Sequence, residues 1–302
     1  MNIAAVIVTY NRLELLKECM EAFFNQTRRP NELIVVNNAS TDGTDEFLRE
    51  WVASHNISDM EIIVVSMEKN EGGSGGFYAG TKKALEIGAD WVWVSDDDAV
   101  PSLDAFEKAE THICEISDID QISAICAQVQ TGGKPATSNR GIRKMGPLKM
   151  EIMHVPKSEY LWTSFECNHF SYVGVFMQAI FLREVGLIHP EYFIWRDDVE
   201  HSWRLSSVGK IICYPDMIVN HKIQQMDYQG ISWKTYYGYR NDLLMYKEHG
   251  CKLYYITKTL TMLFKGLCSI NKRHFELYVD AIKAAHRGEG GINQKYLPGM
   301  KL

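Results

Sequence analysis

Three adjacent aspartates, Asp96, Asp97 and Asp98, follow the apolar run Trp91-Val92-Trp93-Val94. Carboxylates this close repel one another unless a positive group sits among them. Hard divalent cations take oxygen ligands, and Mg²⁺ commonly uses one or two carboxylates together with substrate phosphates. Side chains alternate along an extended stretch. The expectation is therefore that Asp96 and Asp98 point together toward a cation, while Asp97 faces a ribose or sugar hydroxyl. A solvated acidic turn is the plain alternative. The strand-like run before the triplet favours a metal-phosphate site.

A second acidic pair, Asp197-Asp198, lies in YFIWRDDVEHSWR, between an apolar run and a helix-like stripe of Val199, Trp203 and Leu205. A helix N-terminus favours ionised carboxylates. Capping needs only one of them, which leaves the other for general-base work on a hydroxyl. His221 ends the run CYPDMIVNH. On residue type alone a single histidine reads more readily as a surface or core residue than as a ligand, and His201 has no stronger claim.

These groups need elements to position them. Apolar runs at Ile3–Val8, Leu33–Val36, Ile62–Val65 and Trp91–Val94 recur about every 30 residues, the length of a βαβ unit. Being apolar throughout, they suit strands buried on both faces of a parallel sheet. Leu16, Cys19, Met20, Phe23 and Phe24 give a helical stripe, with Asn11 and Glu14 as a capping-box-like start. Phe47, Leu48, Trp51 and Val52 give a second stripe after the Asp42-Gly43-Thr44 turn, and Phe77 to Ile87 a third helix. Ligands of such α/β sheets gather at the carboxyl ends of the strands. Those ends carry Thr9-Tyr10-Asn11-Arg12, Asn37-Asn38-Ala39-Ser40, Asn70-Glu71-Gly72-Gly73 and the aspartate triplet. All four are polar and are expected on one edge.

EGGSGGFYAGTKK, from Glu71 to Lys83, departs from the dinucleotide fingerprint at Tyr78 and from the P-loop at Thr81-Lys82. It reads as a glycine-rich turn that lets backbone approach a ligand, with helix-on-sheet packing as the alternative. Further on, Thr131 to Pro147 reads as a mobile loop, and Phe170–Phe176 and Ile211–Tyr214 as strands. The chain reads as mostly helical from Tyr228, with a loose tail from Gly288.

The bulk composition excludes several classes. A net charge of −6 argues against a partner bound through nucleic-acid phosphates. Seven cysteines without a CxxC suit reduced thiols of a cytosolic protein. The opening MNIAAVIVTYNR lacks the basic start and apolar run of a secretory leader. No segment offers the ~18 uninterrupted apolar residues of a membrane span. Cys251 to Ile270 interleaves lysines with aromatics. It suits either a membrane surface or, preferably, packing on its own domain.

Taken together, VTYNR, NNASTDGT, NEGGSGGFYAG, WVWVSDDDA and FIWRDDVEHSWR resemble the family 2 glycosyltransferases with the GT-A fold. The galactofuranosyltransferase and rhamnosyltransferase branch is the most similar, also through His221-Lys222 and YYGYRN. The resemblance covers roughly residues 1–245. It implies an α/β, mostly parallel sheet flanked by helices, with a helical C-terminal extension. The transferase domain would span 1–225, as a nucleotide-binding half (1–100) and an acceptor half (101–225), followed by a mostly helical region (226–302). The implied reaction is inverting transfer from a nucleotide diphosphate sugar to a hydroxyl. UDP-galactofuranose is the first donor and dTDP-rhamnose the second. The acceptor would be a surface or lipid-linked glycan, handled in the cytoplasm or peripherally at the inner membrane face, with no role for nucleic acid.

Residue by residue, the resemblance implies Asp96 and Asp98 as ligands of Mn²⁺ or Mg²⁺, completed by His221. Asp198 matches the catalytic base and Asp197 a donor-sugar contact. Arg12 and Asn70 match nucleotide-sugar contacts, joined by Gly72, Gly73 and Asp97, with Thr9, Asn38 and Asp42 near the base and ribose. Asn37 stands where many relatives carry Asp, and Arg196 separates Trp195 from the acidic pair. A nucleotidyltransferase would need a basic glycine-rich loop where VTYNRLE stands. A non-catalytic carbohydrate-binding protein would not need both acidic clusters.

Overall fold

Seven successive buried residues form the first strand, β1 (Ile3–Thr9). The chain continues through α1 (Leu13–Phe24), β2 (Glu32–Asn37), α2 (Thr44–Ser54), β3 (Glu61–Ser66), α3 (Gly72–Glu86) and β4 (Trp91–Asp96). Leu16, Cys19, Met20 and Phe23 of α1, and Leu48 and Trp51 of α2, are buried as their spacing predicts. A computed structural model describes residues 1–55, 59–222, 231–269 and 271–300. Tyr228, the expected start of the helical region, lies outside the described residues.

β4, β1, β2 and β3 are mutually parallel. β3 is the edge strand and is half-exposed, not buried on both faces as its apolar run suggests. The second half adds β5 (Ala99–Pro101), α4 (Ala105–Glu115), β6 (Ile122–Thr131), β7 (Lys134–Pro135), β8 (Arg140–Met145), β9 (Met150–His154), β10 (Phe165–Cys167), β11 (His169–Phe170) and β12 (Val175–Gln178). It ends with α5 (Ala179–Val185), α6 (Asp197–Val208) and β13 (Lys210–His221). The main sheet runs β10-β13-β6-β12-β4-β1-β2-β3, with β12 antiparallel to both of its neighbours. β1 thus sits between β2 and β4, so successive connections leave it in opposite directions. Such a switch point opens a crevice at the carboxyl ends of the strands.

Several expectations change here. α3 starts at Gly72, so the glycine-rich stretch is helix rather than turn. A Cβ at Gly80 would stand 2.3 Å from Val6 and 2.9 Å from Val36, so this glycine lets α3 lie directly on the sheet. Helix-on-sheet packing therefore explains the second half of the stretch. Thr131 to Pro147 is not a loop: it contains β8, part of a small sheet ordered β11-β8-β9. Arg140, fully buried, bolts that sheet to the main one by donating to the carbonyls of Ala127 at 2.8 Å and Val173 at 2.7 Å. Phe170–Phe176 straddles the break between β11 and β12, and Ile211–Tyr214 is part of the much longer β13.

Asn11 does not cap α1. It adopts φ 51°, and the Leu13 N–H is met instead by Asp42 from the neighbouring loop at 3.0 Å. All seven cysteines are free, with Cys19, Cys126, Cys167 and Cys213 buried.

The C-terminal part forms α7 (Trp233–Glu248), α8 (Lys252–Leu267) and α9 (Lys272–Arg287) around Tyr236, Tyr237, Met262, Leu277 and Tyr278. The tail is anchored rather than loose. Tyr296 is buried, stacks on Tyr236 at 4.4 Å between ring centres, and takes the Tyr237 hydroxyl on its carbonyl at 3.0 Å.

Candidate active site

The crevice beyond β1 and β4 opens into a cavity of about 1100 Å³. Thr9, Arg12, Asn38, Asn70, Gly72, Gly73, Asp96 and Asp98 line one side of its wall, and Asp197, Asp198 and His221 also reach it. The four polar strand ends therefore do meet. Asp42 and Asp97 are the two selected residues that do not line the cavity. Asp42 holds the start of α1 and accepts from Thr44 at 2.6 Å.

Asp97 does not alternate outward toward a donor, because the triplet leaves β4 as a turn rather than as extended chain. Its carboxylate is fully buried, taking the Thr9 hydroxyl at 2.7 Å and the Arg12 guanidinium at 2.7 Å. Burial pushes its pKa up to about 7, against the opposing pull of Arg12. Arg12 also reaches Asp98 at 2.8 Å. Arg12 thus bonds two of the three carboxylates of the triplet.

Asp96, Asp98 and His221 offer ligand atoms that all lie within 4.8 Å of one another. β13 delivers His221 beside β5, where it pairs with Ala99, so its Nε2 stands 3.2 Å from Asp98. His221 Nδ1 is buried without a hydrogen-bond partner. Two carboxylates and an imidazole, with room for further oxygens, suit Mn²⁺ or Mg²⁺. Burial, then the Asp98 charge, raises the Asp96 pKa to about 6. Burial also opposes ionisation of Asp98, but the bond from His221 and the Arg12 charge outweigh it and lower its pKa.

The Asp197-Asp198 pair faces this cluster from the first turn of α6. The loop that presents it is unusual: Phe193, Trp195 and Arg196 have φ of 66°, 65° and 75°. Left-handed backbone is costly for side-chain-bearing residues and persists only when its surroundings enforce it. Two elements enforce it here. The first turn of α3 passes so close that a Cβ at Gly72 would lie 1.9 Å from the Phe193 oxygen, and the Ser74 N–H donates to that oxygen at 3.3 Å.

On the other side, α7 supplies three consecutive buried polar residues. Arg240 donates to the carbonyls of Glu191 and Tyr192 at 3.0 Å each, and to Gly291 at 2.6 Å. The Asn241 amide faces the carbonyls of Tyr192 (2.9 Å), Ile194 (3.1 Å) and Trp195 (2.7 Å). Asp242 pairs with Arg196 at 2.7 Å and with Lys258 at 2.6 Å.

Burial, then Asp198, raises the Asp197 pKa to about 7. Burial raises that of Asp198 to about 6, opposed by the Val199 N–H at 2.7 Å and by Arg196. Asp96 adds to the rise at Asp198, so the two acidic clusters sense one another across the cavity. An ionised carboxylate there can accept a proton from a hydroxyl. Trp195 and Trp233 join the wall, whereas Trp203 stacks on His249 at 4.0 Å. Sequence reasoning noted Arg196 only as a spacer before the acidic pair and missed Asp242, which pairs with it. It noted Arg240 and Asn241 only inside a similar motif, because their partners are backbone carbonyls that leave no residue-type signal.

An open α/β sheet with acidic groups at its switch point and a second acidic pair facing them is the GT-A class of fold. The structure of Staphylococcus aureus TarS 1-349 aligns over 94% of this chain and 81% of that one, at a TM-score of 0.62 and 15% identity. GalNAc-T7, solved with UDP, GalNAc and Mn²⁺, aligns over 95% and 56%, at 0.64 and 15%. The chain belongs to glycosyl transferase family 2, whose profile matches residues 4–174.

Galactofuranosyltransferase GlfT1 of Mycolicibacterium smegmatis is 39% identical over 100 residues, and that of Mycobacterium tuberculosis 42% over 98. These matches cover 33% and 32% of this chain, and 31% and 30% of the relatives, so they span about a third of the length of either partner.

Proposed function

We propose that this protein is a metal-dependent inverting glycosyltransferase that moves a sugar from a nucleotide diphosphate sugar to an acceptor hydroxyl. The observation that carries the reading is one cavity with Asp96, Asp98 and His221 on one side and Asp198 on the other. Thr9, Arg12, Asn38, Asn70, Gly72 and Gly73 bind the nucleotide sugar, and Asp197 contacts the donor sugar. Asp97 acts one step back, by holding Thr9 and Arg12. A divalent cation on Asp96, Asp98 and His221 would supply positive charge opposite the departing diphosphate.

Asp198 accepts the proton of the acceptor hydroxyl. That oxygen forms its bond to the anomeric carbon as the bond to the diphosphate breaks from the opposite face. No protonated carboxyl group is required, unlike paired-carboxylate hydrolysis. Residues 1–100 carry the nucleotide side, 101–225 the acceptor side, and the helices of 226–302 brace the base.

The names of the GlfT1 relatives support UDP-galactofuranose as donor, with a lipid-linked or surface glycan as acceptor. The test is a panel of UDP-galactofuranose, dTDP-rhamnose and UDP-glucose, scored by nucleoside diphosphate release with Mn²⁺, with Mg²⁺ and after chelation. Cation-dependent release from UDP-galactofuranose is expected. Pyrophosphate release from a nucleoside triphosphate would support a nucleotidyltransferase instead. Silence with every donor would support a non-catalytic sugar-binding protein.

A further inference from the structure

α8 carries a face that the fold leaves uncovered. Leu253, Ile256, Leu260, Phe264 and Leu267 are 50%, 53%, 60%, 68% and 74% exposed. At 3.6 residues per turn these five fall within an arc of about 80°. The opposite side of the same helix packs inward through the buried Met262, through Gly266 against Phe275 and Tyr278, and through Lys258 on Asp242. The packing expected for this segment is therefore present and uses only one side of the helix. Exposed apolar residues in such a run mark a surface that meets something apolar.

The charge around the stripe says what that is. From His249 to Phe275 the sequence has no Asp or Glu, within a chain of net charge −6. It carries Lys252, Lys258, Lys265, Lys272 and Arg273, of which all but Lys258 are exposed. A helix with an apolar stripe and basic neighbours lies in the plane of an anionic lipid surface. A second copy of this chain is disfavoured, because a two-fold contact would set the same basic groups against themselves. Among the described residues no helix is long and apolar enough to cross a membrane, so the contact would be superficial.

The same face adjoins the cavity. Thr257 of α8 donates to the Leu148 carbonyl at 2.8 Å, and the Tyr254 hydroxyl donates to the Gly146 carbonyl. Both acceptors lie in the β8–β9 turn, where Leu148, with Met145 at the end of β8, is exposed (56% and 49%) and extends the apolar surface. At the other end of that hairpin, Ile152 and His154 line the cavity.

We infer that α8 and the β8–β9 turn dock on anionic bilayer surfaces, with the hairpin's far end at the cavity, where a lipid-borne acceptor would arrive. The docking rests on the surface alone; only the acceptor's arrival rests on the transferase reading. The test is therefore co-sedimentation, which reads no transfer. Full-length protein is mixed with phosphatidylglycerol–phosphatidylcholine vesicles or with phosphatidylcholine alone, at low and high salt. Preferential, salt-weakened binding to the anionic vesicles is expected, with at least about a tenfold loss in L260E/F264E. K272E/R273E, which leaves the apolar stripe intact, should bind more weakly and with less salt dependence. No binding to the anionic vesicles at low salt would overturn the inference. Equal binding to both vesicle types would do the same, as would a lipid-free dimer that L260E/F264E dissolves.

Discussion

The two walls of the cavity are built in opposite ways. On the side of the aspartate triplet the polar groups follow the ends of parallel strands, and the βαβ order brings Thr9, Asn38, Asn70 and Asp96 to one edge. On the facing side, Asp197 and Asp198 follow a loop with three left-handed residues. Arg240, Asn241 and Asp242, from α7, hold that loop in place. The first wall is a product of topology and tolerates local change. The second depends on a tertiary clamp, so damage far along the sequence should reach the chemistry.

That contrast can be broken at either wall. The largest effect is expected from Asp98→Ala, which removes one of three clustered ligand groups and the partner of both Arg12 and His221. If a cation contributes several kcal/mol of charge stabilisation, Mn²⁺-dependent nucleotide binding measured by calorimetry should weaken by about 100-fold or more. Asn241→Leu attacks the other wall. It takes the amide donor from the carbonyls of Ile194 and Trp195, at about 1–3 kcal/mol for each one left unpaired, whereas that of Tyr192 keeps Arg240. The melting temperature should fall, and misplacing the base by about 1 Å should cost up to about 100-fold in kcat. Nucleotide affinity should stay nearly unchanged, because the two walls do not share these contacts. Equal losses of affinity and kcat would erase the distinction between the walls.

Gly80→Ala probes the topological wall without touching the cavity. Its Cβ would crowd Val6 and Val36, and overpacking of this kind costs about 1–3 kcal/mol in denaturant titration.

A smaller effect follows from titration beside the clamp. His189 lies 3.0 Å from Glu191 and 2.9 Å from Glu248, and those bonds push its pKa up to about 10. Its protonated form is favoured by folding. The stabilisation is complete below the usual histidine pKa of about 6.5 and is lost as pH rises toward about 10. Glu200 runs the other way. Burial opposes its charge, but His249 and Arg204 win and lower its pKa to about 2. Its contribution is therefore lost as pH falls from about 4.5 toward 2. Melting temperatures across pH should flatten on the alkaline side in His189→Gln.

The same contrast explains what could be read from sequence. Apolar runs and helical stripes gave the parallel half because its order is local. Its errors came where residues had two uses: the glycines of α3 serve packing as well as the cavity, and Asp97 and Asp42 hold other residues instead of lining the cavity. The base-side aspartates were legible as residues, but their support was not. Asn241 and Arg240 act on carbonyls nearly 50 positions away in sequence, and nothing in the residue types of that loop marks it as strained. Arg140 was hidden for a similar reason, since a fully buried arginine among glycines and lysines reads as a loop.

The central claim is that one wall holds the donor while Asp198 on the other takes the acceptor proton. It is tested most directly by measuring Mn²⁺-dependent donor binding and single-turnover transfer on the same preparation of Asp198→Asn. The account predicts donor affinity close to that of the unmodified protein, with transfer reduced by about 100-fold to 10,000-fold, the range for loss of a positioned base. Transfer at the unmodified rate would contradict it.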